Sequence, residues 1–286
     1  MNRLSTTARL LLSLPTLASA LVLCLGPLTL LIRYSFASSQ NLGVVFTWTL
    51  DSYRVFYEQP AYWQILAKTL GIAALVSGLA VLVGFPAAWF MARAPQSWRT
   101  PLLVLLVIPW WASFIVRVFA WFTMFGNNGV INRTLEQFGL IDAPLAVFTF
   151  GVPAIVLTEL NLYLPLMIIP IYMTLERLDW TMLAAARSLG AGRAYAFRRI
   201  VLPFSLPGIT AGVIFVFMPI CGSFVVPQLV GGTRGLMFGK VIASQLGEAS
   251  NWPLGAALSV ILLVMLAACL GLLLLLRRRF TAEAFG

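Results

Sequence analysis

Long apolar blocks separated by short polar segments dominate the chain. Each of six blocks reaches the roughly 20 residues that a membrane-spanning helix needs. They predict helices at about residues 10–32, 65–91, 101–125, 146–173, 206–230 and 253–276. Ala18-Ser19-Ala20 resembles a signal-peptide cleavage site, but the apolar run continues well past it, so we predict an uncleaved first helix. The expected fold class is an all-α polytopic membrane protein with one six-helix domain over residues 1–286.

The composition agrees with this class. The chain is 60% hydrophobic and only 10% charged, whereas a soluble domain carries about 25% charged residues. Its net charge of +10 does not form one basic face but flanks the apolar blocks, which argues against nucleic-acid binding. Residues 33–64 are polar and aromatic, and we expect a loop there with a short amphipathic helix at the membrane interface.

The distribution of basic residues predicts the orientation. With six spans both termini lie on one side, and that side carries twelve basic residues against five in the opposite loops. The twelve are Arg3, Arg9, Arg93, Arg99, Arg177, Arg187, Arg193, Arg198, Arg199, Arg277, Arg278 and Arg279. Because basic loops stay in the cytoplasm, we expect both termini and the loop around residues 176–203 to be cytoplasmic.

That loop contains a basic segment, Ala184 to Pro203, between two hydrophobic blocks. Leu183 to Leu189 are strong helix formers, and Gly190 and Gly192 are expected to end that helix because glycine readily adopts the left-handed C-cap conformation. A second short helix is predicted at 194–201, with Pro203 and Pro207 interrupting the chain before the next apolar run. A helix, a glycine turn and a basic helix form a shape suited to docking onto another protein.

The same segment resembles the cytoplasmic loop of permease subunits of bacterial ABC importers. Their pattern is Glu-Ala-Ala, three residues, Gly, nine residues, Ile, one residue, Leu-Pro. The matching residues are Ala185, Ala186, Gly190, Ile200, Leu202 and Pro203, and Ala184 stands where the family usually has Glu. The resemblance implies a coupling loop over residues 184–203 that docks into a groove of an ATPase subunit. The residues expected to contact it are Ala184, Ala185, Ala186, Arg187, Ser188, Leu189 and Gly190.

Motifs for chemistry within the chain are absent. No GxxxxGK[ST] phosphate loop occurs, so we expect ATP and Mg²⁺ to be bound by the ATPase subunit and no cofactor by this chain. The chain has no His, GxSxG or HExxH, which removes the common general base and makes an enzyme a poor interpretation. Its three cysteines lie far apart in apolar segments, so no metal site is expected.

Polar residues inside the predicted spans indicate a passage, because a charge at the centre of a spanning helix normally faces the bundle interior or water. Glu159 and Tyr163 are four residues apart and share a helix face, whereas Asn161 points elsewhere. We expect Glu159 and Tyr163 to face the passage, with an ion pair between Glu159 and Arg117 of the third helix as the alternative. Other candidate pathway residues are Ser223, Phe224 and Gln228, near Pro227 in the fifth helix, and their alternative role is helix packing.

Several further stretches resemble the polyamine (spermidine/putrescine) branch of these permeases. They are Pro109-Trp110-Trp111 with Arg117, Tyr163-Leu164-Pro165, Phe224 to Gly232 and Asn251 to Ala257. The resemblance implies a bacterial inner-membrane complex of two permease subunits forming a heterodimer, two ATPase subunits and an external binding protein. The branch often has acidic residues where this chain has Ser223 and Gln228.

The expected function is the permease subunit of an importer that passes a polyamine by ATP-driven alternating access. An importer of the same architecture for an opine, an amino-acid-like compound or another small organic solute is the alternative. A structural membrane protein without a passage is the third interpretation.

Overall fold

A computed structural model of the chain describes residues 6–40, 43–145 and 148–285. Nearly all of this part is helical, apart from one antiparallel hairpin of strands β1 (Ser38–Gln40) and β2 (Gly43–Val45). The long helices, numbered in chain order, are α1 (Thr6–Ser35), α3 (Pro60–Arg93), α7 (Val152–Leu175), α10 (Leu202–Cys221) and α13 (Trp252–Phe285). The shorter ones are α2 (Asp51–Glu58), α4 (Gln96–Val107), α5 (Phe114–Met124), α6 (Val130–Gln137), α8 (Thr181–Ser188), α9 (Arg193–Ala196), α11 (Val225–Val230) and α12 (Phe238–Leu246).

Within the described residues, four helical stretches are long and apolar enough to cross a membrane, or five if the bent pair α4 and α5 is one span. The four are Pro60–Arg93, Val152–Leu175, Arg193–Cys221 and Trp252–Arg278. Helix α1 covers the first block that the sequence predicts. Of the fourth predicted helix, 146–173, residues 146 and 147 lie outside the described residues, and α7 begins only at Val152.

The single helix predicted over 101–125 is instead broken. Helix α4 leads into a 3₁₀ turn at Ile108–Trp111, and α5 then departs at 85°. Pro109 removes a backbone donor, and Ala112 and Ser113 are extended. These residues lie inside an apolar run, so hydropathy does not reveal the break.

The fifth predicted helix, 206–230, is also divided. Helix α10 ends at Cys221, Gly222 to Phe224 are not helical, and α11 follows. At its other end, Pro203 does not interrupt the chain as predicted, because a π-helical turn at Phe197–Val201 joins α9 directly to α10. The wider turn precedes a residue whose ring would crowd the carbonyl four positions earlier in a regular α-helix.

The chain forms two compact units, of which the first comprises residues 1–63 and 242–264. Contacts with the aromatic residue Tyr53 hold α2 against the end of α1, directly before the hairpin. The rings of Phe36 and Tyr53 lie 5.5 Å apart, and the hydroxyl of Tyr53 donates to Ser35 Oγ at 2.8 Å. The short helix expected within 33–64 is therefore α2, and the hairpin is an addition that the sequence does not predict.

The second unit, residues 64–241 and 265–286, has its core where α7 packs against α10. Gly208 and Gly212 of α10 face α7. A Cβ atom on Gly208 would lie 2.5 Å from the carbonyl oxygen of Pro170, and one on Gly212 would lie 2.6 Å from Met167 Sδ. Met167 is fully buried and also meets Gly84 of α3. Small residues thus allow the backbones of α7 and α10 to approach closely, as is usual in membranes, and Gly84 leaves room for the Met167 side chain against α3.

This packing predicts that Gly208→Ala destabilises the protein. Its Cβ would meet backbone atoms that cannot move aside, so we expect a loss of about 1–3 kcal/mol in the free energy of unfolding. Gly78→Ala in α3 is the matched control, since a Cβ there meets nothing within 4 Å. Thermal unfolding of the purified chain in detergent measures both. Equal melting temperatures for the two variants would contradict the close approach of α7 and α10.

Candidate functional site

A carboxyl group without a partner lies in the middle of α7. Glu159 is completely buried, and neither of its carboxylate oxygens has a hydrogen-bond partner among the described residues. Its neighbour Thr158 is equally buried and its hydroxyl is also without a partner in that part of the chain. Burying a polar group without a hydrogen bond costs about 1–3 kcal/mol, so stability alone does not explain this carboxyl.

Two further polar groups surround Glu159. The hydroxyl of Tyr163, one turn later, is within electrostatic reach of both the Glu159 carboxyl and the Arg117 guanidinium. Ser223 lies near the carboxyl, although neither carboxylate oxygen accepts a hydrogen bond from its hydroxyl. The structure thus brings together four of the six predicted pathway residues, from α5, α7 and the break after α10.

Arg117 belongs to this cluster but forms no ion pair with Glu159 within 4.0 Å in the described part of the chain. Its guanidinium carbon instead lies 5.4 Å from the centre of the Trp110 ring, a cation–π contact. The indole of Trp110 donates to the carbonyl oxygen of Leu162 at 3.1 Å. Trp110 therefore holds Arg117 beside α7, and the structure does not contain the ion pair considered as an alternative role for Glu159.

Other elements of the unit pack against the break that contains Ser223, which is itself buried. A Cβ on Gly239 of α12 would lie 2.6 Å from the carbonyl oxygens of both Gly222 and Ser223. The N–H of Phe238 donates to Thr69 Oγ1 of α3 at 2.8 Å, and the Lys68 ammonium donates to the carbonyl of Arg234. Helix α12 is thereby fixed against the non-helical residues, which keeps Ser223 near Glu159.

The remaining two predicted pathway residues are exposed, whereas Glu159 and Ser223 are buried. Phe224, at the start of α11, is 51% exposed, and Gln228 is exposed on α11. Asn161 is exposed and accepts a hydrogen bond from the Trp121 indole at 3.1 Å, which confirms that it points away from Glu159. The sequence does not indicate Trp110 or Thr158 as site residues. The contact of Trp110 with α7 depends on the break at 108–113, and Thr158 is notable only because its hydroxyl is buried.

The predicted coupling loop has a well-defined turn. Gly190 has φ +86°, and the N–H groups of Gly190 and Ala191 donate to the carbonyls of Arg187 and Ala186 at 2.9 and 3.0 Å. This is the Schellman arrangement, so the predicted left-handed glycine at the end of α8 is confirmed for Gly190. Gly192, with φ −66°, instead precedes α9 as its N-cap.

Helix α8 and its C-cap residue expose apolar side chains, and aromatic rings connect this segment to α3. Leu189 is 89% exposed and Met182 is 53% exposed. The ring of Trp180 packs edge-on against Trp89 of α3 at 5.6 Å, and Trp89 also contacts Phe197. These contacts connect the segment before α8 to α3 and to the stretch that leads into α10.

Two acidic residues fix the beginning of the loop. Glu176 accepts a hydrogen bond from Tyr172 at 2.8 Å and lies 3.5 Å from Arg99, which ties the end of α7 to α4. Asp179 accepts from the hydroxyl and the N–H of Thr181 at 2.7 and 2.9 Å. These bonds, that of the hydroxyl first, lower the pKa of the Asp179 carboxyl and favour its ionised form at the start of α8.

Comparisons with known proteins agree with this architecture. The sequence profile described as binding-protein-dependent transport system inner membrane component matches residues 80–281. The chain is 34% identical over 245 residues to the spermidine/putrescine transport system permease protein PotB of Escherichia coli K12, covering 85% of this chain and 88% of that protein. It is 35% identical over 232 residues to the inner membrane ABC transporter permease protein YdcU of the same organism, covering 77% and 73%.

Among solved structures, the chain is similar to one in a crystal structure of a bacterial ABC transporter involved in the import of the acidic polysaccharide alginate. The TM-score is 0.72 with 17% identity, and the match covers 94% of both chains. At this identity the likeness concerns the fold alone.

The buried carboxyl generates a stability prediction. Glu159→Met should raise the free energy of unfolding by about 1–3 kcal/mol, because it removes a buried polar group without a partner. Glu176→Met should lower it, by up to about 1 kcal/mol, because this half-exposed carboxylate has two partners. Thermal unfolding of both variants in detergent measures the difference. A lower melting temperature for Glu159→Met would mean that the carboxyl has a stabilising partner.

Proposed function

The chain belongs to the family of binding-protein-dependent transport system inner membrane components and is a permease subunit of an ABC importer, and from this premise we propose that its substrate is a polyamine. In this proposal spermidine or putrescine passes the membrane beside Glu159. The complex comprises a second, different permease subunit, two ATPase subunits that bind ATP and Mg²⁺, and an external binding protein.

The observation that carries the proposed substrate is the buried, unpartnered carboxyl of Glu159. An ammonium group that reaches it would supply the missing hydrogen-bond donors, and a charge-assisted pair in a dry environment is strong. Tyr163 adds an aromatic face of the kind that attracts cations. The resemblance to permeases named for spermidine and putrescine supports the same substrate class.

A second candidate substrate class follows from Ser223 and Gln228. Both are neutral where the polyamine branch often has acidic residues, so this pathway offers fewer carboxylates to a polycation. Ser223 lies beside Glu159. An opine, an amino-acid-like compound or another small organic solute with a single ammonium group would need only one carboxylate, and Glu159 provides it.

Energy transfer is proposed to occur through the coupling loop. Exposed Leu189 and Met182 would enter a groove of the ATPase subunit, while the Gly190 turn presents them in a fixed geometry. The ring contacts of Trp180 and Phe197 with Trp89 would transmit the movement to α3 and α10, and the helices would rock between two states. The excess of basic residues in this loop and at the chain ends supports their position in the cytoplasm.

The substrate class is tested by ATPase activity of the complex reconstituted with its binding protein. We expect spermidine or putrescine to stimulate hydrolysis, and opines and amino acids to have little effect. Stimulation by a neutral or anionic ligand instead would exclude polyamines and favour the second candidate class.

Glu159→Gln should impair uptake while the complex still assembles. The amide retains the shape but removes the negative charge, so we expect the half-saturating concentration of a cationic substrate to rise roughly tenfold or more, as for loss of one charged hydrogen bond. Uptake into proteoliposomes measures this. Glu136→Gln, in α6 and exposed, is the matched control. Unchanged uptake by Glu159→Gln would remove this residue from the pathway.

Gly190→Ser and Gly192→Ser form a second matched pair. Both positions are open to a side chain, but only Gly190 has a left-handed backbone, which costs other residues about 1–2 kcal/mol. We therefore expect Gly190→Ser to weaken binding of the ATPase subunit and to lower uptake several-fold, and Gly192→Ser to have little effect. Pull-down of the ATPase subunit and uptake assays distinguish them. Equal behaviour would show that the turn geometry is unimportant for coupling.

A further inference from the structure

A basic cavity lies beside the coupling loop, where α3, α8 and α9 meet. It has a volume of about 470 Å³, and three arginines line it, Arg93, Arg187 and Arg193. The residues that line it include no acidic side chain. Neither Arg187 nor Arg193 makes an ion pair or a side-chain hydrogen bond with any residue that the structure describes. Three guanidinium groups around one cavity form a site for an anion, and the planar guanidinium matches phosphate geometry.

The position of Arg93 is set by two indole rings. Its guanidinium carbon lies 5.8 Å from the centre of the Trp89 ring and 5.4 Å from that of Trp180. These cation–π contacts hold one positive charge at the end of α3, where the apolar span finishes. Arg93 is therefore placed at the boundary between membrane and water, where Trp and Arg are typically found.

A second cavity adjoins the first through Arg93, and it is almost entirely apolar. It measures about 490 Å³ and is lined by Phe90, Ala94, Pro95, Trp98 and Leu102 in addition to Arg93. Phe90 is 67% exposed and Trp98 is 62% exposed. A basic cavity and an apolar groove that share one arginine match a molecule with an anionic head and a hydrocarbon tail.

We propose that these two cavities together bind one anionic phospholipid of the inner leaflet. Its phosphate lies among Arg93, Arg187 and Arg193, and an acyl chain lies along Phe90 and Trp98. Basic pockets of this kind on the cytoplasmic side of membrane proteins recognise anionic headgroups. A carboxylate from a partner protein would satisfy the arginines but would leave the apolar groove empty. The site goes beyond the proposed transport function, although its assignment to the inner leaflet rests on the proposed orientation.

In this arrangement the lipid would link the coupling loop to α3. Arg187 belongs to the coupling loop and Arg193 opens α9, which continues into α10, so a bound phosphate would join the coupling loop to the end of α3. An anionic lipid is then part of the surface that an ATPase subunit meets.

The test is lipid binding to the full chain, purified and delipidated in neutral detergent. Phosphatidylglycerol and phosphatidylcholine are titrated in mixed micelles, and bound phospholipid per chain is measured by mass spectrometry. We expect saturable binding of phosphatidylglycerol in preference to phosphatidylcholine. The double variant Arg187→Gln/Arg193→Gln should bind it about 25-fold more weakly, at about fivefold per arginine.

The matched control is Arg198→Gln/Arg199→Gln, which removes the same charge from two exposed residues that do not line the cavity. It should retain the affinity of the unmodified chain for phosphatidylglycerol.

Trp98→Gln tests the apolar groove. It should weaken binding of phosphatidylglycerol but leave binding of soluble glycerol 3-phosphate unchanged.

Three results would overturn the proposal. Equal losses in the two double variants would show only general electrostatic attraction. Glycerol 3-phosphate binding as tightly as the lipid would identify a site for a free phosphate compound. Unchanged lipid binding by Arg187→Gln/Arg193→Gln together with weaker binding of the ATPase subunit would assign the arginines to acidic residues of that partner. None of these results affects the proposed transport of polyamines, which is measured separately.

Discussion

The close contact between α7 and α10 is the constraint on which the rest of the second unit depends. Lipid is as apolar as the helix surfaces, so helices in a membrane gain little from hydrophobic burial and associate where their backbones can approach. Gly208 and Gly212 provide this approach, against Pro170 and Met167 respectively. The pairing shows that the two helices run antiparallel in one register. Continuing that register by two turns brings the end of α10 beside Glu159.

The candidate site is a consequence of that register. Helix α10 stops at Cys221, so Ser223, which lies near the carboxyl of Glu159, belongs to a non-helical segment. Gly239 of α12 packs directly on the carbonyl oxygens of this segment. A polar, irregular backbone at membrane depth occurs where it is buried in protein or lines a cavity. The carboxyl of Glu159, which has no hydrogen-bond partner, and the non-helical residues 222–224 therefore lie close together. This arrangement lowers stability and is suited to a passage.

At the other end of the same two helices, side-chain contacts connect the segment around α8 to the long helices. Helix α7 ends at Leu175, and Glu176 is tied to Arg99 and Tyr172 immediately afterwards. The π-helical turn makes α9 and α10 one continuous helical stretch, so the predicted coupling loop enters α10 without a non-helical break. The indole rings around Arg93 connect the same loop to α3. Helix α8 is therefore connected both to α3 and to the stretch that leads into α10.

The sequence alone determined the class of the protein, most of the spanning helices and the turn at Gly190. Hydropathy and helix capping depend on residues that are close in the chain, and they can be read without knowing the fold. It also indicated Glu159 and Tyr163 as neighbours on one helix face. The resemblance of Ala185 to Pro203 to a known loop identified the family.

Only the tertiary structure decided where the third and fifth apolar blocks break and what surrounds Glu159. Both breaks lie within blocks that are apolar overall, and residues far along the chain pack against them. Trp110 reaches the carbonyl of Leu162, and Gly239 covers Gly222 and Ser223. The partner of Arg117 was equally undetermined, since a cation within a membrane can be stabilised by a carboxylate or by an aromatic ring. The choice of Trp110 over Glu159 depends on the bend between α4 and α5, which is a property of the assembled helices.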